Sequence, residues 1–172
     1  MKRIHVFVLC CLMIACFCSG CFHAKDHTVI AQEIADTMID AIRSRDAEAI
    51  EIMFSNSIQE ELQNLPEQAE MFVDYFRGEI VSYSVGHVSA TSHNYFGTHD
   101  DYVDACCDVI TNESKYQFFF RACFRNTDDS DNLGLQSVSV IEDLELHGSS
   151  AGKIVVDIDP SYPEGIIFVP YE

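Results

Sequence analysis

Apolar residues recur at helical spacing through the first half of the chain and at alternate positions through the second. From Val29 to Arg45, Ile30, Ile34, Met38, Ile39 and Ile42 make one stripe while Gln32, Glu33, Asp36 and Asp40 face away, which predicts a helix. Asp46 is placed to N-cap a second helix, Ala47 to Phe54, with Ile50, Met53 and Phe54 inward. Ser55 to Leu65 reads as a helical turn or two. Pro66, followed by Glu67, opens a third helix whose Met71, Phe72, Tyr75 and Phe76 share an apolar face. That helix is expected to run to Arg77, with Gly78 closing it in a positive-φ conformation.

From Glu79 the period becomes two. Segments near Glu79–Val85, His87–Ser92, Asp101–Ile110, Lys115–Arg125, Leu133–Leu146 and Lys153–Ile158 alternate or carry β-branched and aromatic residues, and Ile166–Val169 fits a last short strand. Three helices followed by a run of strands predict an α+β fold, with the helices on one face of an antiparallel sheet.

One hairpin can be assigned a register. With Thr111-Asn112-Glu113-Ser114 as the turn, Ile110 pairs with Lys115. Val103, Ala105, Cys107 and Val109 then share an apolar face with Ala122, Phe120, Phe118 and Tyr116. On the opposite face Asp104 meets Arg121 and Asp100 meets Arg125, both favourable cross-strand pairs. Cys106 falls opposite Phe119, and Cys123 opposite Tyr102, so no disulfide joins Cys106 to Cys123. A slip of one residue would spoil both faces at once.

The N-terminus changes the picture. Lys2 and Arg3 precede an apolar run, Ile4 to Phe17, that is short of the roughly 20 residues a membrane span needs. Cys18-Ser19-Gly20-Cys21 follows, and small residues just before a cysteine resemble a bacterial lipobox, with Cys18 where leucine is usual. Residues 1–20 are therefore expected to be a lipoprotein signal peptide, 21–28 the lipidated Cys21 and its tether, and 29–172 a single domain. An ordinary secretory signal or an uncleaved anchor is the alternative. The expected address is the extracytoplasmic side of the cell membrane, held by lipid.

The 172-residue chain carries 28 acidic against 10 basic residues, a formal charge of −18, and loss of Lys2 and Arg3 makes the mature chain two units more negative. Such a surface repels nucleic acid and anionic headgroups, so no nucleic-acid partner is expected. Of eight cysteines, only Cys106, Cys107 and Cys123 remain after the signal and Cys21. Their spacing fits neither a disulfide framework nor a zinc motif, and buried thiols are the expectation.

DAIRSRDAEAIEIMFS at Asp40–Ser55, FVDYFRGEIVSYS at Phe72–Ser84 and SKYQFFFRACFRNTDDSDNLGLQSVSV at Ser114–Val140, behind a lipobox, resemble a group of bacterial lipoproteins. Their shared module is domain of unknown function 5104. The resemblance covers about Ile30 to Asp143. It implies a cone similar to the nuclear-transport-factor-2-like or SnoaL-like fold: three N-terminal helices wrapped against a curved antiparallel sheet. It implies no activity.

Such cones often hold a pocket between helices and sheet, used by some relatives for acid–base catalysis and by others for binding alone. The titratable pieces on hand are Asp74, Tyr75, His87, His93, His99, Asp101, Asp104 and Tyr116, and none forms a catalytic motif. Asp74 belongs to the polar side of the third helix. His87, His93 and His99, followed by Asp100 and Asp101, have a six-residue spacing that suits loop histidines in solvent better than metal ligands. Thr127 to Asn132 lacks the glycine and closing glutamate of a calcium loop and reads as an acidic turn. Neither metal nor cofactor is expected.

Phe119, outward beside Cys106, Tyr102 and Cys123 and ringed by Asp104, Asp108, Gln117 and Arg121, would make a partner or homodimer surface. The candidate pocket or surface residues are thus Asp74, Tyr75, His87, Asp104, Tyr116, Phe119 and Arg121. The expected function is binding of a small molecule or a protein, with an acid–base enzyme of SnoaL-like type as the alternative.

Overall fold

The computed structural model describes residues 26–95, 97–143 and 155–158. The expected signal peptide, the lipobox with Cys21, tether residues 21–25 and the strand expected at 166–169 lie outside the described residues. Within them the fold is α+β, as the change of period predicts. Four α-helices precede a five-stranded antiparallel sheet in the order β1-β2-β3-β4-β5. The helices are α1 (His27–Ser44), α2 (Ala47–Glu51), α3 (Asn56–Glu61) and α4 (Leu65–Tyr75). The strands are β1 (Ile80–Tyr95), β2 (Thr98–Thr111), β3 (Lys115–Asn126), β4 (Gly134–Asp143) and β5 (Val155–Ile158). Among the described residues no helix is long and apolar enough to cross a membrane.

The α1 helix begins where the Asp26 side chain accepts the Thr28 N–H at 3.0 Å, a bond that also lowers the Asp26 pKa. Its inward stripe differs from the expected one. Ala31, Ala35, Met38, Ile39, Ala41 and Ile42 are buried, while Ile30 and Ile34 are half-buried at the margin. Small alanine side chains let the helix backbone settle close to its neighbours, so the isoleucines rotate to the edges. Asp46 caps α2 as expected, its carboxylate accepting the Ala49 N–H at 3.0 Å.

The number and bounds of the helices depart from expectation. The α2 helix stops at Glu51, not Phe54, because residues 53–55 pair with β4: Leu135 donates to Met53 O at 2.8 Å, and Ser55 donates to Leu135 O at 3.0 Å. Phe54 turns into the core, 2% exposed. Ser55 then caps a separate six-residue helix, α3, so the described residues ahead of the sheet hold four helices rather than three. The last helix ends at Tyr75 because Phe76 takes an extended conformation. That swing buries the Phe76 ring against Phe72 at 5.5 Å and Tyr116 at 4.9 Å. Met71, expected on the inner face, is 42% exposed.

Gly78 does have positive φ (79°), but it shapes the loop beyond the helix instead of capping it. There the β2–β3 turn docks: Asn112 Oδ1 accepts the Glu79 N–H at 2.8 Å, and the Asn112 N–H donates to Glu79 O at 3.0 Å.

The β2–β3 register is the expected one from Ile110↔Lys115 to Tyr102↔Cys123. Val103, Ala105, Cys107 and Val109 face Ala122, Phe120, Phe118 and Tyr116, all buried under the helices. Beyond that point a bulge at Phe124 shifts the pairing, so Arg125 stands opposite Asp101 and not Asp100. Cys106, Cys107 and Cys123 are free thiols. His87 and His93 lie in β1 and His99 in β2, in paired strands and not in the loop that their spacing suggested.

Candidate functional site

Alternation along the strands sends one set of side chains to the helices and the other to the outer face of the sheet. Between buried Phe118, Phe120 and Ala122 of β3, the intervening Phe119 and Arg121 point outward. Register carries this across three strands. Cys106, Phe119 and Ser139 stand in one cross-strand row, and Asp104, Arg121 and Ser137 in the next. These rows line an open hollow of about 390 Å³, completed by His87 from β1.

Two local features make the hollow. A bulge between Val85 and Val88 puts Gly86 and His87 on β1 beside it. Gly86 carries no side chain, and a Cβ there would come within 2.9 Å of the Cys106 sulfur, so the bare backbone makes room for the thiol. A second bulge, at Gln136, separates Ser137 from Leu135, which is buried beneath the sheet.

Arg121 lies with its guanidinium carbon 4.8 Å from the centre of the Tyr102 ring, a cation–π contact. Its Nη1 is 3.8 Å from Asp104 Oδ1, an ion pair longer than a hydrogen bond, with both side chains more than a third exposed. Phe119 is 38% exposed at the centre. Desolvation, followed by the proximity of Cys123, pushes the Tyr102 phenol above its ordinary pKa, so the ring stays neutral beneath the guanidinium. At the rim Gln117 donates to Asp108 at 2.6 Å. A cation, an anion, an aromatic ring, an imidazole, a thiol and serine hydroxyls can therefore meet one ligand.

Of the seven residues singled out from sequence, His87, Asp104, Phe119 and Arg121 converge here. Tyr75 and Tyr116 form a different cluster, rings 5.8 Å apart, on the helix side of the sheet. There the Tyr116 hydroxyl accepts the Arg77 N–H at 2.9 Å. Burial, and then the charge of Glu142, raise the Tyr75 pKa to about 12. Asp74 stands on the surface, 3.6 Å from Arg45, and joins neither cluster.

Ser137 and Ser139 were not singled out, although Ser-Val-Ser-Val at 137–140 alternates plainly; only the β3–β4 register brings them to Arg121 and Phe119. Another group emerges at the far end of β2. Asp101, 8% exposed, accepts from the Ser92 hydroxyl at 2.5 Å, lies 3.0 Å from His99 Nε2 and 3.6 Å from Arg125. The bulge at Phe124, invisible in the sequence, is what delivers Arg125 to it.

Residues 37–143 match the family model for a domain of unknown function (DUF5104), more than half of the chain. No curated protein matches it. The chain belongs to the DUF5104 family.

Proposed function

We propose that this family member is a lipid-anchored binding protein on the extracytoplasmic side of a bacterial cell membrane, which takes up a small molecule in the hollow on the outer face of its sheet. The lipobox ending in Cys21 supports the address. The helices and the curved sheet fit a cone of the nuclear-transport-factor-2-like type. The observation that carries the reading is the convergence of His87, Asp104, Phe119 and Arg121 on one concavity, which is within the size range of small-ligand sites. The helix side of β2 and β3 is filled by Phe72, Phe76 and Phe118, which directs attention outward.

The test is a small-molecule fragment screen by ligand-observed NMR, run on the mature lipidated protein in detergent and on its Phe119→Lys variant. Hits that vanish with Phe119→Lys support the reading. A screen in which no hit depends on Phe119 overturns it. Sedimentation of the same protein shows whether a second copy, and not a small molecule, covers this face.

A second reading, an acid–base enzyme, has Asp101 in its favour. A carboxylate this buried with an imidazole at 3.0 Å is the kind of pair that moves protons. Chemical change in a bound fragment that stops with Asp101→Asn would favour it. A fragment returned unchanged would count against it.

A further inference from the structure

The hollow has a charge pattern that selects among ligands, and, resting on the proposed binding role of that hollow, we propose that its ligand is a zwitterion: a free α-amino acid with an apolar side chain. Asp104 and Arg121 are opposite charges on adjacent strands, 3.8 Å apart. At that separation neither gives the other a short hydrogen bond, and both remain open to solvent. The guanidinium carbon lies over the Tyr102 ring, a contact that consumes none of its N–H donors and leaves them available to a carboxylate.

The net charge of the ligand follows from what each alternative would lose. A simple anion drawn to Arg121 would meet Asp104, in a chain whose formal charge is −18. A simple cation drawn to Asp104 would meet Arg121. A neutral apolar molecule would strip water from both charges and leave them only their own long pairing, which costs free energy. A molecule carrying a carboxylate and an ammonium on one carbon satisfies both side chains at once, and its two groups are about as close together as Asp104 and Arg121 are.

The second row supplies the rest. Phe119 and Cys106 lie two residues along their strands from Arg121 and Asp104, a step of about 7 Å at the usual rise. An extended phenylalanine or methionine side chain covers most of that step, and leucine, being shorter, covers less of it. Phe119 offers an aromatic face and Cys106 a soft thiol, and neither asks for a polar side chain. The volume of about 390 Å³ holds an amino acid of this size with a few waters.

The experiment is calorimetric titration of the mature lipidated protein in detergent with four probes. They are L-phenylalanine, N-acetyl-L-phenylalanine (anion only), L-phenylalanine amide (cation only) and the doubly blocked N-acetyl amide. L-Phenylalanine should bind at least about tenfold more tightly than any of the other three. Asp104→Asn and Arg121→Gln should each remove most of that advantage with only a small change in melting temperature, since both side chains are more than a third exposed. Equal affinity for all four probes, or an advantage that survives both substitutions, overturns the zwitterion inference. Fragment binding that still depends on Phe119 would in that case leave the binding role of the hollow standing. If no probe binds and no fragment depends on Phe119, the two fall together.

Discussion

Arg77 holds Glu142 through one guanidinium nitrogen, Nη2 standing 2.9 Å from Oε1 and 2.7 Å from Oε2. The carboxylate is 4% exposed and also accepts from the Ser114 hydroxyl at 2.6 Å. One buried acid thereby ties the segment after α4, the β2–β3 turn and β4 together. Removing one partner of a fully buried pair costs about 3–5 kcal/mol. Arg77 is 63% exposed, so water takes up part of that loss. Arg77→Met should therefore destabilise the protein by about 1–2 kcal/mol. Glu142→Gln keeps a side chain able to bond Ser114 and should cost less. Urea unfolding checks the order, and an Arg77→Met midpoint at or above wild type would show the grip to be idle.

Gly134 should tolerate no side chain. Its φ is +127°, and a Cβ there would lie 2.8 Å from both Met53 O and Ser55 N, backbone atoms fixed by their pairing with Leu135. Left-handed strain and overpacking add, so Gly134→Ala should cost about 2–5 kcal/mol. Gly97 provides the control. Its φ is +101°, yet a Cβ would meet nothing within 4 Å, leaving only the conformational strain. Thermal melts that place the two alanine variants together would refute the role given to contact at Gly134.

The contrast between well-read and misread elements has a physical basis. The β2–β3 register was legible because each face carried its own marker: Val103, Ala105 and Cys107 against Phe118, Phe120 and Ala122 inside, Asp104 against Arg121 outside. The bulge at Phe124 was not, because Ala122, Cys123 and Phe124 are all apolar and give the alternation no polar mark to slip against. The ends of α2 and α4 were misplaced for another reason. Phe54 and Phe76 continue a helical pattern, but burial against distant Leu135 and Tyr116 outweighs that local preference. The hollow was half legible. Residues on one hairpin could be aligned by pattern, whereas Ser137 and Ser139 needed the pairing of β4, which no local rule supplies.

Alkali should loosen the fold. Burial holds the Cys107 thiol at about 12 against an ordinary 9.0, with the Asp108 charge adding to it. It holds the Tyr75 phenol at about 12 against 10.0, with Glu142 adding to it. In the unfolded chain both groups ionise near their ordinary values, so as pH rises the unfolded state loses protons first. The stability they contribute is complete below about pH 9 and falls between about pH 9 and pH 12. Cys107→Ala should flatten the early part of that fall. Urea midpoints measured from about pH 7 to pH 10.5 decide the matter, and a wild-type midpoint constant across that range would contradict it.

The proposed anchor turns on one sulfur. If Cys21 carries lipid, the mature protein should partition into the detergent phase of a cloud-point separation and sediment with membranes. A chain of this acidity gains nothing from anionic headgroups, so the acyl groups must supply the attachment, at about 0.8 kcal/mol for each buried CH₂. Cys21→Ser removes the attachment point while leaving the apolar run from Ile4 to Phe17 intact. It should shift the protein to the aqueous phase if the signal is still cut, or leave a heavier, uncleaved chain on the membrane if cleavage requires the modified cysteine. Intact mass separates these two results, and either one assigns the anchor to Cys21. A Cys21→Ser protein with the same mass and the same partitioning as wild type would mean that the signal is an ordinary secretory one or an uncleaved anchor. The outer-face hollow would then have to be considered for a protein not held by lipid.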